Sequence, residues 1–397
     1  MKKFVAMLLA LVMVFALCAC GDKPQNDKQD KAAVKVGFIC LHDENSTYDK
    51  NFIDAAKAAC KNAGLSEDQY IIKTNIPEGQ ECYNAAAELV DAGCNVVFAD
   101  SFGHEDFMIQ AAKEFKDVQF CHATGTKAHT EKLSNYHNAF ASIYEGRYLA
   151  GVAAGMKLNE MIDSGKITAD QAKMGYVGAY TYAEVISDYT SFYLGAKSVC
   201  PSATMEVTFT GSWYDETAEK EGATKLINDG ASSFPSTQTP WVPLPPVKMP
   251  AFPTSPTRAA RRMHAPTPRF NWVPYYKFAI RAVMDGSTID TDWTGTLSTG
   301  SVELTDLNSY VAADGTQDKL DEVNSKLEDG SLHVFDTSTF TVKGAKLDSY
   351  KADVDTDANY TPDTEVVSDG YFHESEYRSA PYFDVQIDGI ELLDTAF

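Results

Sequence analysis

Apolar residues in this chain fall into two alternating patterns. Val34–Leu41 is a continuous apolar run of strand length, and Lys50–Gly64 then carries Phe52, Ile53, Ala56, Ala59 and Cys60 at helical spacing before stopping at a glycine. The alternation continues as strand Tyr70–Lys73, helix Cys82–Ala92, strand Asn95–Ala99, helix Glu105–Phe115 and strand Val118–His122. After a short run at Asn138–Ile143 a long helix begins near Glu145, and the pattern restarts: strand Met174–Val177, helix Ile186–Ser198, strand Met205–Thr208, helix Glu216–Ile227. Strands separated by helices of this length imply parallel β-α-β units with helices on both faces of the sheet, and the restart predicts two doubly wound lobes. Ligands of such sheets sit at the carboxyl ends of the strands, so the loops after Leu41, Ala99, His122, Val177 and Thr210 are the expected site.

One stretch breaks the pattern. Ser233–Phe270 holds ten of the sixteen prolines, five Lys/Arg and no Asp, Glu or Gly. It can neither continue a helix nor fill a sheet interior, yet it begins where the third strand of the second lobe is due. A proline-rich linker in mid-domain makes little structural sense, so the segment reads as frameshifted and is expected to be disordered or poorly packed. Taking each codon as the third base of one residue plus the first two of the next, Trp241–Val242 must encode Gly and Met249–Pro250 must encode Ala. One permitted reading is VISQHADSMGAPTACENAGVP, which is a strand, a polar loop and an amphipathic helix. The regular pattern is expected to resume at Asn271-Trp272.

The first residues carry an address. Lys2 and Lys3 precede an unbroken apolar run from Phe4 to Ala16, too short for a mature span and suited to a secretory signal. It ends in Leu17-Cys18-Ala19-Cys20-Gly21, which resembles a bacterial lipobox. The expectation is a signal peptide over residues 1–19, lipidation of Cys20, a polar tether over 20–33, and a body held on the outer face of the cell membrane. Once Lys2 and Lys3 leave, 32 basic residues face 56 acidic ones, which disfavours nucleic acid as a partner. Cys40, Cys60, Cys82, Cys94, Cys121 and Cys200 show no metal spacing and read as scattered buried thiols, with a disulfide the other possibility. No cofactor and no metal are expected.

Several segments in order resemble the basic membrane protein family, the substrate-binding lipoproteins of ABC importers that include purine-nucleoside receptors. They are Asp49-Lys50-Asn51-Phe52, the run from Glu145 to Gly151 (EGRYLAG), Gly211-Ser212-Trp213, Asn271-Trp272, and the ending from Gly370 through Ile390. The QHADS stretch of the shifted frame resembles the family too. The resemblance implies a type I periplasmic-binding-protein fold: two Rossmann-like lobes, a three-crossing hinge and ligand in the cleft. On this basis residues 34–143 plus about 271–301 form the first lobe, and 144–270 plus about 302–397 the second.

The resemblance also implies ligand-binding residues. Asp43 matches an acid that hydrogen-bonds the base, and Phe52 an aromatic that stacks on it; Trp213 matches the stacking position on the opposite face. The chemistry is apt, because an aromatic face holds a flat heterocycle and a carboxylate accepts from ring N–H groups. Each has a structural alternative: helix core for Phe52, a turn or cap for Asp43, lobe packing for Trp213. Thr124 stands where nucleoside-binding members place the Asp that holds the ribose hydroxyls, so nucleoside binding itself is in question. His42 and Asp49 complete the candidate set. His42 and Glu44 beside Asp43 read as a polar loop rather than a metal site, and Glu145 as a cap or hinge residue.

The functional expectation is a monomeric solute-binding lipoprotein, not an enzyme, that captures a nucleoside-like small molecule and presents it to an ABC permease. A sensor feeding a signalling receptor would use the same cleft. A secreted nucleoside hydrolase is the third reading, against which stands the lack of a G-x-S-x-G elbow or clustered acids.

Overall fold

A computed structural model describes residues 34–213, 215–231, 266–354, 359 and 361–394. The expected leader, tether and Cys20, and residues 233–265 of the proline-rich segment, lie outside the described residues.

The first sheet has six parallel strands in the order β2-β1-β3-β4-β5-β9: β1 (Val36–Ile39), β2 (Tyr70–Lys73), β3 (Val96–Ala99), β4 (Gln119–Ala123), β5 (Tyr136–Ala141) and β9 (Asp292–Gly295). Alternate strand residues face opposite layers. Phe38, Val96 and Phe98 pack with α1 (Thr47–Ala63) and α7 (Val273–Asp285), whereas Ile39, Val97 and Phe120 pack with α2 (Gln80–Asp91) and α3 (Glu105–Glu114). Both faces are thereby covered, and the strands β1 (VGFI) and β3 (VVFA) at the middle of the first lobe carry no polar side chain.

The second sheet is parallel in the order β11-β7-β6: β6 (Lys173–Gly178), β7 (Thr204–Phe209) and β11 (Ile390–Leu392), the last brought from the far end of the chain. Helices α4 (Ile143–Asp163) and α5 (Ala183–Val199) share its main core, and α6 (Glu216–Asn228) covers Val177 on the other face through Ala223 and Leu226.

Three crossings join the lobes. α4 leads out of the first sheet; β8 (Pro268–Phe270) leads back to α7 and β9; β10 (Val302–Leu304) leaves again, pairing antiparallel with β8. They meet at Gly146, where an added Cβ would lie 2.7 Å from Pro268 Cβ and 2.9 Å from Val302 Cγ1. The Glu145 carboxylate accepts the Leu297 N–H at 2.8 Å beside this junction. One expectation needs correcting: regular structure resumes at β8, ahead of Asn271. Its proline stands first in a short edge strand, where a missing N–H is tolerated.

The six cysteines among the described residues are free thiols and buried, and burial pushes those of Cys60 and Cys121 up to about 12. Among the described residues no helix is long and apolar enough to cross a membrane.

Candidate functional site

The loop after β1 is organised by Asp49. This residue is wholly buried at the start of α1, where it accepts the His42 backbone N–H at 2.8 Å, contacts His42 Nδ1 at 3.1 Å and accepts the Ser46 hydroxyl at 2.6 Å. Ser46 in turn caps the helix by accepting the Asp49 N–H. Asp49 therefore shapes the loop with both carboxylate oxygens engaged, while the His42 ring stays exposed. Asp43, at the loop's crest, accepts from the Asn45 backbone and side-chain N–H groups at 3.0 and 2.8 Å. The Asn45 backbone bond leads the interactions that hold its carboxyl below the ordinary range, so it is an ionised acceptor at neutral pH.

Phe52 is 2% exposed and stacked on Trp272, so its ring belongs to the helix core. The aromatic that this helix offers at the strand ends is Tyr48. Its ring is 44% exposed and rests on Phe52 at 5.0 Å, while its hydroxyl is inserted and donates to the Asp100 carbonyl at 2.8 Å. Burial raises this phenol well above its usual pKa, with contributions from the carboxyls of Asp100 and, from the second lobe, Glu184.

Asp100 ends β3. Its Oδ1 accepts the Leu41 N–H at 3.1 Å, whereas Oδ2 is buried with no hydrogen-bond partner. Burial, and then the neighbouring Asp49, push this carboxyl well above the usual range. Phe102, in the same loop, is 57% exposed. Thr124, after β4, adopts φ +70° and has a buried hydroxyl oxygen without a partner. A β-branched residue in that conformation is strained, which is typical of a ligand-facing loop.

In the second lobe, Trp213 follows β7 and is 45% exposed. It stands edge-on to Tyr180, with centroids 5.2 Å apart, and 6.0 Å from Tyr182; the two tyrosines stack at 5.1 Å and 14°. Tyr180 and Tyr182 follow β6, so two strand ends build one aromatic wall. Thus His42 and Asp43 in the loop after β1 and Asp49 at the start of α1 lie together in the first lobe, Thr124 follows a strand two places from β1 in the same sheet, and Trp213 belongs to the other lobe. Sequence reasoning missed Tyr48, Phe102, Tyr180, Tyr182 and Asp100. The available signal was aromatic residues within loops immediately after predicted strands, where an apolar core has no use for them. No group of three His, Cys, Asp or Glu that could hold a metal occurs among the described residues.

Residues 36–233 match the Bmp family model, described as ABC transporter substrate-binding protein PnrA-like, and the match stops where the proline-rich segment begins. A purine-binding protein of Brucella abortus is 27% identical over 311 residues, covering 76% of this chain and 83% of its own length. A protein of Haloferax volcanii named for glucose binding in an ABC transporter is 35% identical over 136 residues, covering 34% of this chain and 31% of its own. Among solved structures, an ABC transporter solute-binding protein from Conexibacter woesei superposes with a TM-score of 0.57 at 18% identity, over 76% of this chain and 98% of that one, which gives the fold. Through residues 36–233 the chain belongs to the Bmp family of PnrA-like ABC transporter substrate-binding proteins, with the two-lobed type I periplasmic-binding-protein fold.

Proposed function

We propose that this protein, anchored outside the cell membrane through Cys20, captures a purine base or nucleoside between its lobes and hands it to an ABC permease. The observation that carries the reading is the presence of aromatic rings at the strand ends of both lobes: the exposed Tyr48 and Phe102 in the first, and the exposed Tyr182 and Trp213 with the partly buried Tyr180 in the second. Flat heterocycles are held by such faces, and the ionised Asp43 supplies an acceptor for their N–H groups. The purine-binding relative, which covers most of the chain, supports the same class. Thr124 offers a hydroxyl where a carboxylate would grip a ribose diol, so a free base is the better-fitting ligand. Contacts from both lobes would stabilise a closed form, and that closed form is what a permease recognises.

Titration of the full chain with adenine, hypoxanthine, adenosine and glucose, followed by tryptophan fluorescence and calorimetry, tests the reading. Saturable binding of a purine with a change in the Trp213 signal is expected, without release of base from adenosine. Binding of glucose alone, or turnover of the nucleoside, would overturn it.

A further inference from the structure

Phe102 is 57% exposed and lies outside both apolar cores of the first lobe, so the place of its ring is set by the backbone that bears it. That backbone is the single turn Phe102–His104 after β3. Ser101 stands at the N-cap of the turn, yet its hydroxyl caps nothing there: it donates to Glu78 Oε1, and the same oxygen accepts the Gly103 N–H at 2.8 Å. One carboxyl from the loop after β2 thus takes over the capping task and grips the residue on either side of Phe102. It fits there only because residue 103 is glycine, whose added Cβ would lie 2.6 Å from Glu78 Cδ. The turn is also held from beneath. The Ser101 carbonyl lies 2.7 Å from His122 Nε2, and the Asp100 carbonyl accepts the Tyr48 hydroxyl at 2.8 Å. His104 Nε2 lies 3.0 Å from the Ile76 carbonyl, which closes the β2 and β3 loops on each other a second time.

We propose that Glu78 is a positioning residue for ligand binding: by fixing the turn after β3 it holds the Phe102 ring in place to stack on a flat heterocycle. This deepens, and rests on, the purine reading above. Glu78 acts through Phe102 and not by touching the ligand. A surface ring on a loose turn loses conformational freedom when a ligand pins it, whereas a ring held beforehand loses little, and the difference appears as affinity. Core packing cannot supply that hold, because a ring sunk into the core would present no face to the cleft. Hydrogen bonds to the flanking backbone and hydroxyl restrain the residue while leaving its ring in the open.

The test is adenine binding by the full chain, by Glu78→Gln, Glu78→Ala and Phe102→Ala, and by the double alanine variant, with thermal unfolding of each as a folding control. Phe102→Ala should bind at least about fivefold more weakly, as expected when an aromatic that stacks on a base is removed. Glu78→Ala should bind about threefold to tenfold more weakly with little change in melting temperature, since the side chain is exposed. Glu78→Gln, whose amide oxygen can accept the same two bonds, should stay within about twofold of wild type. In the Phe102→Ala background the Glu78→Ala loss should shrink below about twofold, because no ring is left to position. Gly103→Ala, which crowds the carboxyl from the other side, should reproduce the Glu78→Ala loss with Glu78 itself unchanged. Wild-type-like adenine binding by Glu78→Ala, or a full Glu78→Ala loss that persists without the Phe102 ring, would overturn the role of Glu78 and leave the purine reading intact. Failure of wild type to bind any purine would instead overturn the purine reading, and the role of Glu78 with it.

Discussion

The ring of Phe52 lies nearly flat on that of Trp272, with centroids 4.7 Å apart and 24° between the planes. This contact ties α1 to the start of α7, the helix that re-enters the first lobe after the second crossing. It explains why a residue expected to stack on ligand is sealed from solvent: its faces are taken by Trp272 and by Tyr48. Phe52→Ala should therefore destabilise the protein by about 3–5 kcal/mol in urea unfolding, as deletion of a buried aromatic does. Tyr48→Ala, which removes a ring already half in solvent and one hydrogen bond, should cost about 1 kcal/mol and chiefly weaken purine binding. Stability loss by Tyr48→Ala as large as that by Phe52→Ala would contradict this division of labour.

The second lobe depends on close approach of two helices. A Cβ on Gly151 of α4 would lie 2.0 Å from the Phe192 carbonyl oxygen, and one on Gly195 of α5 would lie 2.0 Å from the Tyr148 carbonyl oxygen. Neither neighbour can move aside, because both are helix backbone. Gly151→Ala and Gly195→Ala should each lower stability by about 1–3 kcal/mol despite alanine's better helix propensity. The double variant should lose less than the sum, since one separation of the helices accommodates both methyl groups. Circular-dichroism melting of the three variants checks this; additive losses would mean that the two contacts yield independently.

Much of this architecture was legible in the chain because apolar runs and helical spacing report burial directly. The expectation for β2 over Tyr70–Lys73 matches the strand residue for residue, and that for α6 over Glu216–Ile227 ends one residue short. β11 was not legible: three residues following a turn at Asp388-Gly389 give no periodicity, and their place beside β7 is fixed by a pairing about 185 residues distant in sequence. The site was read one residue type at a time. The chain shows that an aromatic stands near a strand end, but not which of Tyr48 and Phe52 turns inward. That choice is set by Trp272, more than two hundred positions away.

Buried ionisable groups define how stability should vary with pH. Burial raises Glu145 to about 7 and Glu374 to about 8, from an ordinary value of 4.5. A carboxyl raised in the folded state binds its proton more tightly there, so its contribution is full below about pH 4.5 and lost as pH climbs towards 7–8. His104 and His137 are depressed by burial to about 4, so their contribution is present above about pH 6.5 and lost as pH falls towards 4. The two trends oppose one another, and the melting temperature should peak in the mildly acidic range. Glu374→Gln should flatten the alkaline limb of that profile. A maximum well above pH 8 would show that these carboxyls are not protonated in the fold.

The proline-rich segment leaves a specific structural debt in the second sheet. In the first sheet β1 pairs with β2 on one side and β3 on the other, and β3 follows directly from α2. In the second, β6 pairs with β7, and among the described residues no strand lies along its other edge, although α6 has just delivered the chain to that point. The family match ends at Ser233, where composition changes abruptly. We read the coding sequence from about Ser233 as displaced by one base, with β6 as the intended neighbour of the strand that the other frame encodes. Two consequences are measurable. The protein isolated from its own host should differ in intact mass from the sequence given, with peptides of the alternative frame replacing those of 233–265. A chain rebuilt in that frame should melt at a higher temperature than the literal one, because a central strand and its covering helix would restore buried apolar area of a size that decides folding when net stability is only about 5–15 kcal/mol. An intact mass equal to that of the literal chain, together with no gain from the rebuilt frame, would establish the segment as a genuine insertion and β6 as a true sheet edge.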